Sequence, residues 1–295
     1  MGRRLRRLWI ILPPYGWMLL FFAVPFLFIL KISLAEPLMA MPPYSDIWQM
    51  KGGEFTWLGS LDNYRFLLDD DLYLAAYLNS LKLAAIATLI ALLIGYPMAY
   101  AIARLDEPYR SLMLILVILP SWTSFLIRIY AWIGILKNNG LINNFLIGTG
   151  IINEPLPMMH SEFAIYIGIV YGYLPFMILP IYTNLIKLDL RLVEAAYDLG
   201  ARPLRVFLSV ILPLSIGGIV AGCFLVFIPA VGEFVIPDLL GGPDNLMIGK
   251  ILWQEFFVNR DWPVASAVAV AMLIILIIPI LIYRQIELKQ LGLNK

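Results

Sequence analysis

Six long apolar stretches, separated by more polar segments of unequal length, run along the chain at residues 8–34, 83–103, 112–136, 163–186, 210–237 and 264–283. At about 1.5 Å per residue each can carry a helix across a hydrocarbon layer of roughly 30 Å. The pattern predicts an all-α, polytopic membrane protein with six transmembrane helices. Arg3, Arg4, Arg6 and Arg7 precede the first stretch and Ser33-Leu34-Ala35 follows it, as in a secretory leader. Its apolar run far exceeds the about 7–15 residues of a leader, so an uncleaved span is expected. Gly95-Tyr96-Pro97, Pro120-Ser121, Gly172-Tyr173-Leu174-Pro175, Pro229 and Pro279 predict breaks, which lipid tolerates only where protein or water satisfies the freed backbone. The spacings of Gly168 with Gly172 and of Gly218 with Gly222 predict close helix approach, which packing within the subunit explains.

Composition sharpens this picture. Hydrophobic residues make up 61% of the 295 and charged residues 14%, against about 25% charged in a soluble domain. A net charge of +1 offers no basic excess for a nucleic acid. One cysteine, Cys223, and one histidine, His160, give no disulfide and no transition-metal set. The nearest approach to a phosphate loop is Gly249-Lys250, where Asp244 holds the first glycine position and Ile251 replaces the hydroxyl residue. No catalytic residue, metal or cofactor is therefore assigned to this chain. An enzyme would need a nucleophile and base or a metal, and neither constellation is present.

Basic residues set the expected orientation. The four N-terminal arginines, Arg104, Arg110, Lys187, Arg191, Arg202, Arg205, Arg284, Lys289 and Lys295 fall on one side. Glu36, Asp46, Glu54, Asp62, Asp69, Asp70 and Asp71 crowd the first loop of the other. Both termini are expected in the cytoplasm.

Few polar groups lie within the spans. Arg128 is costly at a helix centre and is expected to pair with a carboxylate or to snorkel. Glu233, about 6 Å inside the outer end of a regular helix, sits by Pro229 and Gly232, where a break is expected. Its carboxylate suits an ammonium group on a path, or it reaches outside water. Trp122, Tyr130, Trp132, Tyr171 and Tyr173 cluster near the breaks and offer faces that attract ammonium groups. The substrate path is accordingly sought at Glu233, Trp122, Tyr130, Tyr171 and Tyr173. Each aromatic has packing as its plainer reading.

The polar segment 187–205 carries Val193, Ala196, Tyr197 and Gly200 at helical spacing, which predicts a short amphipathic helix closed by Gly200. Pro203 then opens a second helix. The result is a helix-turn-helix elbow. Glu194-Ala195-Ala196, three residues, Gly200, nine residues and Val210-Ile211-Leu212-Pro213 resemble the EAA motif of permease subunits of bacterial ATP-binding-cassette importers. Val210 stands where the family has isoleucine. The resemblance implies the type I importer (MetI-like) permease fold, with an N-terminal helix and acidic periplasmic loop at 1–82 and a five-helix core at 83–295. It also implies that loop 187–209 docks on a separate ATPase through Glu194, Ala195, Ala196, Asp198, Gly200 and Arg202, and that this partner binds ATP and magnesium.

Segments 119–128, 134–140, 227–237 and 259–263 further resemble the polyamine-importing branch, the putrescine system most closely. That implies a second homologous permease, two ATPase subunits and a periplasmic polyamine-binding protein, in a bacterial inner membrane. In related importers the loop after the fifth span meets the binding protein, which points to Gly241, Gly242, Pro243 and Asp244 on a projecting turn. Spermidine or another organic solute as cargo, and an ion-driven secondary transporter, remain as alternatives; the latter would need deeper carboxylates and inverted repeats.

Overall fold

The computed structural model describes residues 2–51 and 54–290. Its helices are α1 (Gly2–Met18), α2 (Val24–Ser33), α3 (Asp62–Asp69), α4 (Asp71–Arg104), α5 (Tyr109–Ile118), α6 (Phe125–Leu136), α7 (Leu141–Gly148), α8 (Glu162–Leu185), α9 (Leu190–Asp198), α10 (Pro203–Val206), α11 (Leu212–Val231), α12 (Val235–Leu239), α13 (Ile248–Trp253) and α14 (Trp262–Gln290). Wider π turns join α1 to α2 and α10 to α11, and another follows α13. The chain divides into two compact units, Met1–Tyr77 with Ile251–Lys295 and Leu78–Lys250.

In the first unit α2 and α3 pack against α14. Asn63 donates to the carbonyls of Ser33 and Ala35 at 2.9 and 2.8 Å, closing the end of α2, whose last carbonyls have no helical partner. Tyr77 donates to the carbonyl of Val268 at 2.7 Å. One hairpin interrupts the helices: strands β1 (Trp48–Lys51) and β2 (Glu54–Trp57) pair antiparallel, with Trp48 opposite Trp57 and their rings 4.4 Å apart. Within the most apolar part of Ile11–Ser33 only 6% of the residues are buried. An apolar helix so bare needs lipid or another subunit around it.

In the second unit α8 lies along α11. A Cβ on Gly218 would meet the carbonyl of Pro180 at 2.9 Å and the Cα of Ile181 at 3.0 Å, and one on Gly222 the carbonyl of Met177 at 3.0 Å. A Cβ on Gly168 would meet Ile236 at 2.7 Å. The Gly218 and Gly222 pair therefore seats α11 against α8 inside the subunit, as expected, whereas Gly168 makes room for a side chain and Gly172 meets only the Phe125 ring, at an ordinary 3.4 Å. Gly218→Val should force two backbones apart at a cost of about 1–3 kcal/mol, seen as a lower thermal midpoint of the purified transporter. Gly134→Ala, whose Cβ meets nothing within 4 Å, should not lower it.

Among the described residues five helices are long and apolar enough to cross a membrane: Ile11–Ser33, Asp71–Arg104, Glu162–Leu185, Pro203–Val231 and Trp262–Leu281. A sixth exists only if Tyr109–Trp122 and Phe125–Gly148, bent by 89°, count as one. The break expected at Pro120-Ser121 within 112–136 is present, as a sharp corner between two helical pieces. Pro120 opens a 3-10 turn there, and Thr123 donates its hydroxyl back to the Pro120 carbonyl at 2.8 Å, so the backbone leaves the α conformation. The fifth span differs, running from Pro203 to Val231 rather than 210–237. The breaks expected at Pro97, Pro175, Pro229 and Pro279 are absent, because each proline lies inside a continuous helix. A proline removes one helical hydrogen bond, which tight packing tolerates. The side chains of Arg3, Arg4, Arg6, Arg7, Glu54, Arg284 and Lys289, and the whole of Lys295, lie outside the described residues.

Candidate functional site

Two places in the second unit gather candidate functional side chains. The first is the elbow. Asp189 caps α9 by accepting from the backbone N–H of Arg191 at 3.0 Å, as a residue with a short acceptor does at this position. At the other end Gly200 takes φ +78°. Its N–H donates to the Tyr197 carbonyl at 2.8 Å while that of Ala201 donates to the Ala196 carbonyl at 3.1 Å. This paired closure is the Schellman arrangement, and only glycine adopts its left-handed residue without strain. Arg202 then runs extended and Pro203 starts α10, as its spacing predicted.

Val193 alone of α9 is buried, so it anchors the elbow while Glu194, Ala195 and Asp198 face outward with Gly200 and Arg202; Ala196 is half-buried. Among the described residues no ion pair ties down Glu194, Asp198 or Arg202. The elbow rests on α4 through Phe207, whose ring meets those of Tyr96 and Tyr100 edge-on at 5.7 and 6.3 Å. Leu199, 88% exposed, and Leu204 form an apolar tip beside Gly200. Sequence reasoning passed over these leucines, although an apolar residue beside a helix-closing glycine is the signal that would have found them.

The second place is the break between α11 and α12. Glu233 lies in it, not on a regular helix, and is 7% exposed. That overturns the reading in which it reaches outside water. One carboxylate oxygen accepts from the backbone N–H groups of Phe234, Val235 and Ile236 at 3.1, 3.0 and 3.5 Å. The other accepts the hydroxyl of Tyr173 from α8. Glu233 pairs with neither Arg128 nor Lys250, since Lys250 pairs with Asp238 at 3.1 Å. The break is held from below by α13: a Cβ on Gly249 would run into the carbonyls of Gly232 and Glu233, and Ser80 of α4 accepts the N–H of Ile248 at 2.8 Å.

The other aromatics fall elsewhere. Tyr171 meets Trp132 edge-on at 5.4 Å and borders an apolar cavity of about 420 Å³ with Ile102, Val117 and Pro175. Trp122, 75% exposed, and Tyr130 point away from the unit. Of the five proposed path residues the structure brings together only Glu233 and Tyr173. Arg128 stands over the rings of Phe125 and Tyr171, 5.6 and 6.0 Å from their centres. Its Nε is buried with no hydrogen-bond partner, so aromatic faces replace the expected carboxylate.

The turn at Gly241-Gly242 does not project. Both glycines are buried, the carbonyl of Leu240 accepts from the N–H of His160 at 3.0 Å, and a Cβ on Gly242 would lie 2.6 Å from the His160 carbonyl. Close backbone packing draws the turn inward, and only Pro243 and Asp244 remain exposed.

Residues 87–289 match the family described as "Binding-protein-dependent transport system inner membrane component", and the chain belongs to it. It is a multi-pass permease of an ABC importer family, in which ATP hydrolysis lies in a separate subunit. It is 42% identical over 268 residues to the "Spermidine/putrescine transport system permease protein PotB" of Escherichia coli, covering 91% of this chain and 93% of that one. The protein of the same description from Haemophilus influenzae is 41% identical over 270 residues, covering 91% and 90%. A bacterial ABC transporter involved in alginate import shares the fold at 18% identity, with a TM-score of 0.70 over 96% of this chain and 98% of that one. The MetNI methionine ABC transporter does so at 18% identity, with a TM-score of 0.56 over 73% and 94%.

Proposed function

We propose that this chain is the translocation subunit of an ATP-driven importer that carries a polyamine, putrescine foremost, from periplasm to cytoplasm. The observation behind this reading is the identity of 41–42%, over more than nine-tenths of the chain, to permeases described as serving spermidine and putrescine. In this reading residues 1–82 supply the first span and an acidic periplasmic loop, and residues 83–295 the five-span core. Loop 187–209 seats on one of two ATPase subunits through Glu194, Ala195, Ala196, Asp198, Gly200 and Arg202, with Leu199 and Leu204 as apolar contacts. A second homologous permease completes the pore, and a periplasmic polyamine-binding protein meets the face bearing Pro243 and Asp244. Glu233 and Tyr173 serve the cationic path, with Trp122, Tyr130 and Tyr171 as further aromatic positions on it.

Uptake of labelled putrescine and spermidine by cells lacking their own polyamine import, supplied with this chain and its cognate subunits, tests the reading. Uptake should require the ATPase partner and survive collapse of the ion gradient while ATP is maintained. An importer that works without that partner would be a secondary transporter. In this reading both termini lie in the cytoplasm, a reading supported by the charge asymmetry. Reporter fusions at Lys295 should be active only as cytoplasmic reporters and those near Asp70 only as periplasmic ones.

A further inference from the structure

One polar cluster belongs to neither the elbow nor the break. Lys82 of α4 places its Nζ 2.9 and 3.3 Å from the two carboxylate oxygens of Glu162, the first residue of α8. Tyr166, one turn further along α8, donates its hydroxyl to the same carboxylate at 3.2 Å. The pair is open to its surroundings, the lysine and glutamate side chains being 54% and 40% exposed. Helix α8 has 24 residues and leads at its far end into the elbow, so this cluster sits about 36 Å away, at the opposite face of the apolar layer.

Glu162, Tyr166 and Tyr173 follow one another at intervals of four and seven residues. That spacing keeps them within about 40° on one side of α8. Tyr173 is the residue that donates to Glu233. Between them on the same side lies Ile169, fully buried. One face of α8 thus carries an accessible carboxylate at its end, a closed apolar step, and a buried carboxylate held about 16 Å further in.

We infer that the Glu162 carboxylate with Tyr166 is an entry station for the cationic cargo, and that Lys82 is a tethered placeholder which the cargo displaces. The inference rests on the reading of this chain as a polyamine permease. A lysine side chain ends in the same group as a polyamine, a primary ammonium with three donors. Exchange therefore costs the carboxylate nothing: the incoming ammonium takes the same two oxygens and Tyr166 keeps its bond. An exposed ion pair is weak, so Lys82 leaves readily. While it remains, it spares the apolar boundary an unpaired carboxylate, and it lowers apparent affinity by the fraction of time the site is taken. A neutral or anionic solute cannot displace it, which makes the pair a selectivity device.

The assembled transporter in phosphatidylcholine nanodiscs, without its binding protein, provides the test through the equilibrium binding of labelled putrescine. Lys82→Gln should lower the dissociation constant about two- to fivefold, the factor a weak exposed pair imposes. Glu162→Gln should raise it by a similar factor, and the double variant should follow Glu162→Gln. Binding that Lys82→Gln leaves unchanged or weakens overturns the inference. So does a double variant that restores assembly lost in both single variants, because that pattern belongs to a structural ion pair. Absence of binding that depends on Glu162 overturns it as well. Putrescine or spermidine uptake by the unaltered transporter in cells is measured alongside. Uptake without the binding changes removes this inference and leaves the polyamine reading, whereas no uptake of either polyamine removes the reading itself.

Discussion

Gly200→Val is expected to abolish transport while leaving the subunit in the membrane. The residue holds φ +78°, a conformation that a β-branched side chain occupies only with strain of about 1–3 kcal/mol. The cost is not steric in the ordinary sense, since a Cβ there would meet nothing within 4 Å. Relief comes when the closure of α9 opens, and the two hydrogen bonds from Gly200 and Ala201 are then lost. Glu194, Ala195, Asp198 and Leu199 would swing away from the direction in which they now face. Gly200→Asn provides the control, because asparagine enters the left-handed region far more readily. The expected result is loss of ATP hydrolysis stimulated by the loaded binding protein in the valine variant, at normal membrane levels, with substantial activity in the asparagine variant. Equal activity in both would make the elbow a connector and remove it from the coupling.

The elbow was legible in the sequence because its signals are local. Gly200 and Pro203 each fix their own backbone, and turn residues act over four or five positions; the Asp189 cap came only with the structure. Span existence was legible for the same reason, since composition over about twenty residues decides it. The corner at Pro120 was visible as a break, but its 89° angle was not, because a proline states where a hydrogen bond is missing and not how neighbours use the freedom. Pro97, Pro175, Pro229 and Pro279 sit in unbroken helices for that reason. The hairpin had a signal that went unread: Gly52-Gly53 lies between segments with aromatic residues on both sides, a two-residue turn pattern. Arg128 and Glu233 needed the fold. The first finds aromatic rings on α6 and α8, the second backbone N–H groups and a tyrosine 60 residues away, and no spacing rule links such distant partners.

Glu233→Gln should cut polyamine uptake by about tenfold or more in a transporter that still assembles, and the reason lies in what the carboxylate does now. Its first oxygen accepts the N–H groups that start α12, which an amide oxygen can also do. Its second accepts from Tyr173, and an amide NH₂ in that place can only donate, so the tyrosine hydroxyl must turn. The hydrogen bonds survive in number and the negative charge does not. Charge-assisted bonds contribute roughly 1.5–3 kcal/mol against about 1 for neutral ones, a difference worth about tenfold when a passing ammonium depends on the charge. Glu233→Ala removes both roles, and should in addition lower the thermal midpoint of the complex, since three N–H groups at the break lose their acceptor. Tyr173→Phe leaves the charge and the cap in place and should reduce uptake less than Glu233→Gln. The break stands at one end of the continuous run Pro203–Val231 and the elbow at the other, so a rigid arm joins the two. If Glu233 acted only by holding that arm, Glu233→Gln would assemble and transport at the normal rate, and Glu233→Ala alone would fail. Uptake rates across a range of polyamine concentrations, with assembly measured for each variant, separate the two outcomes.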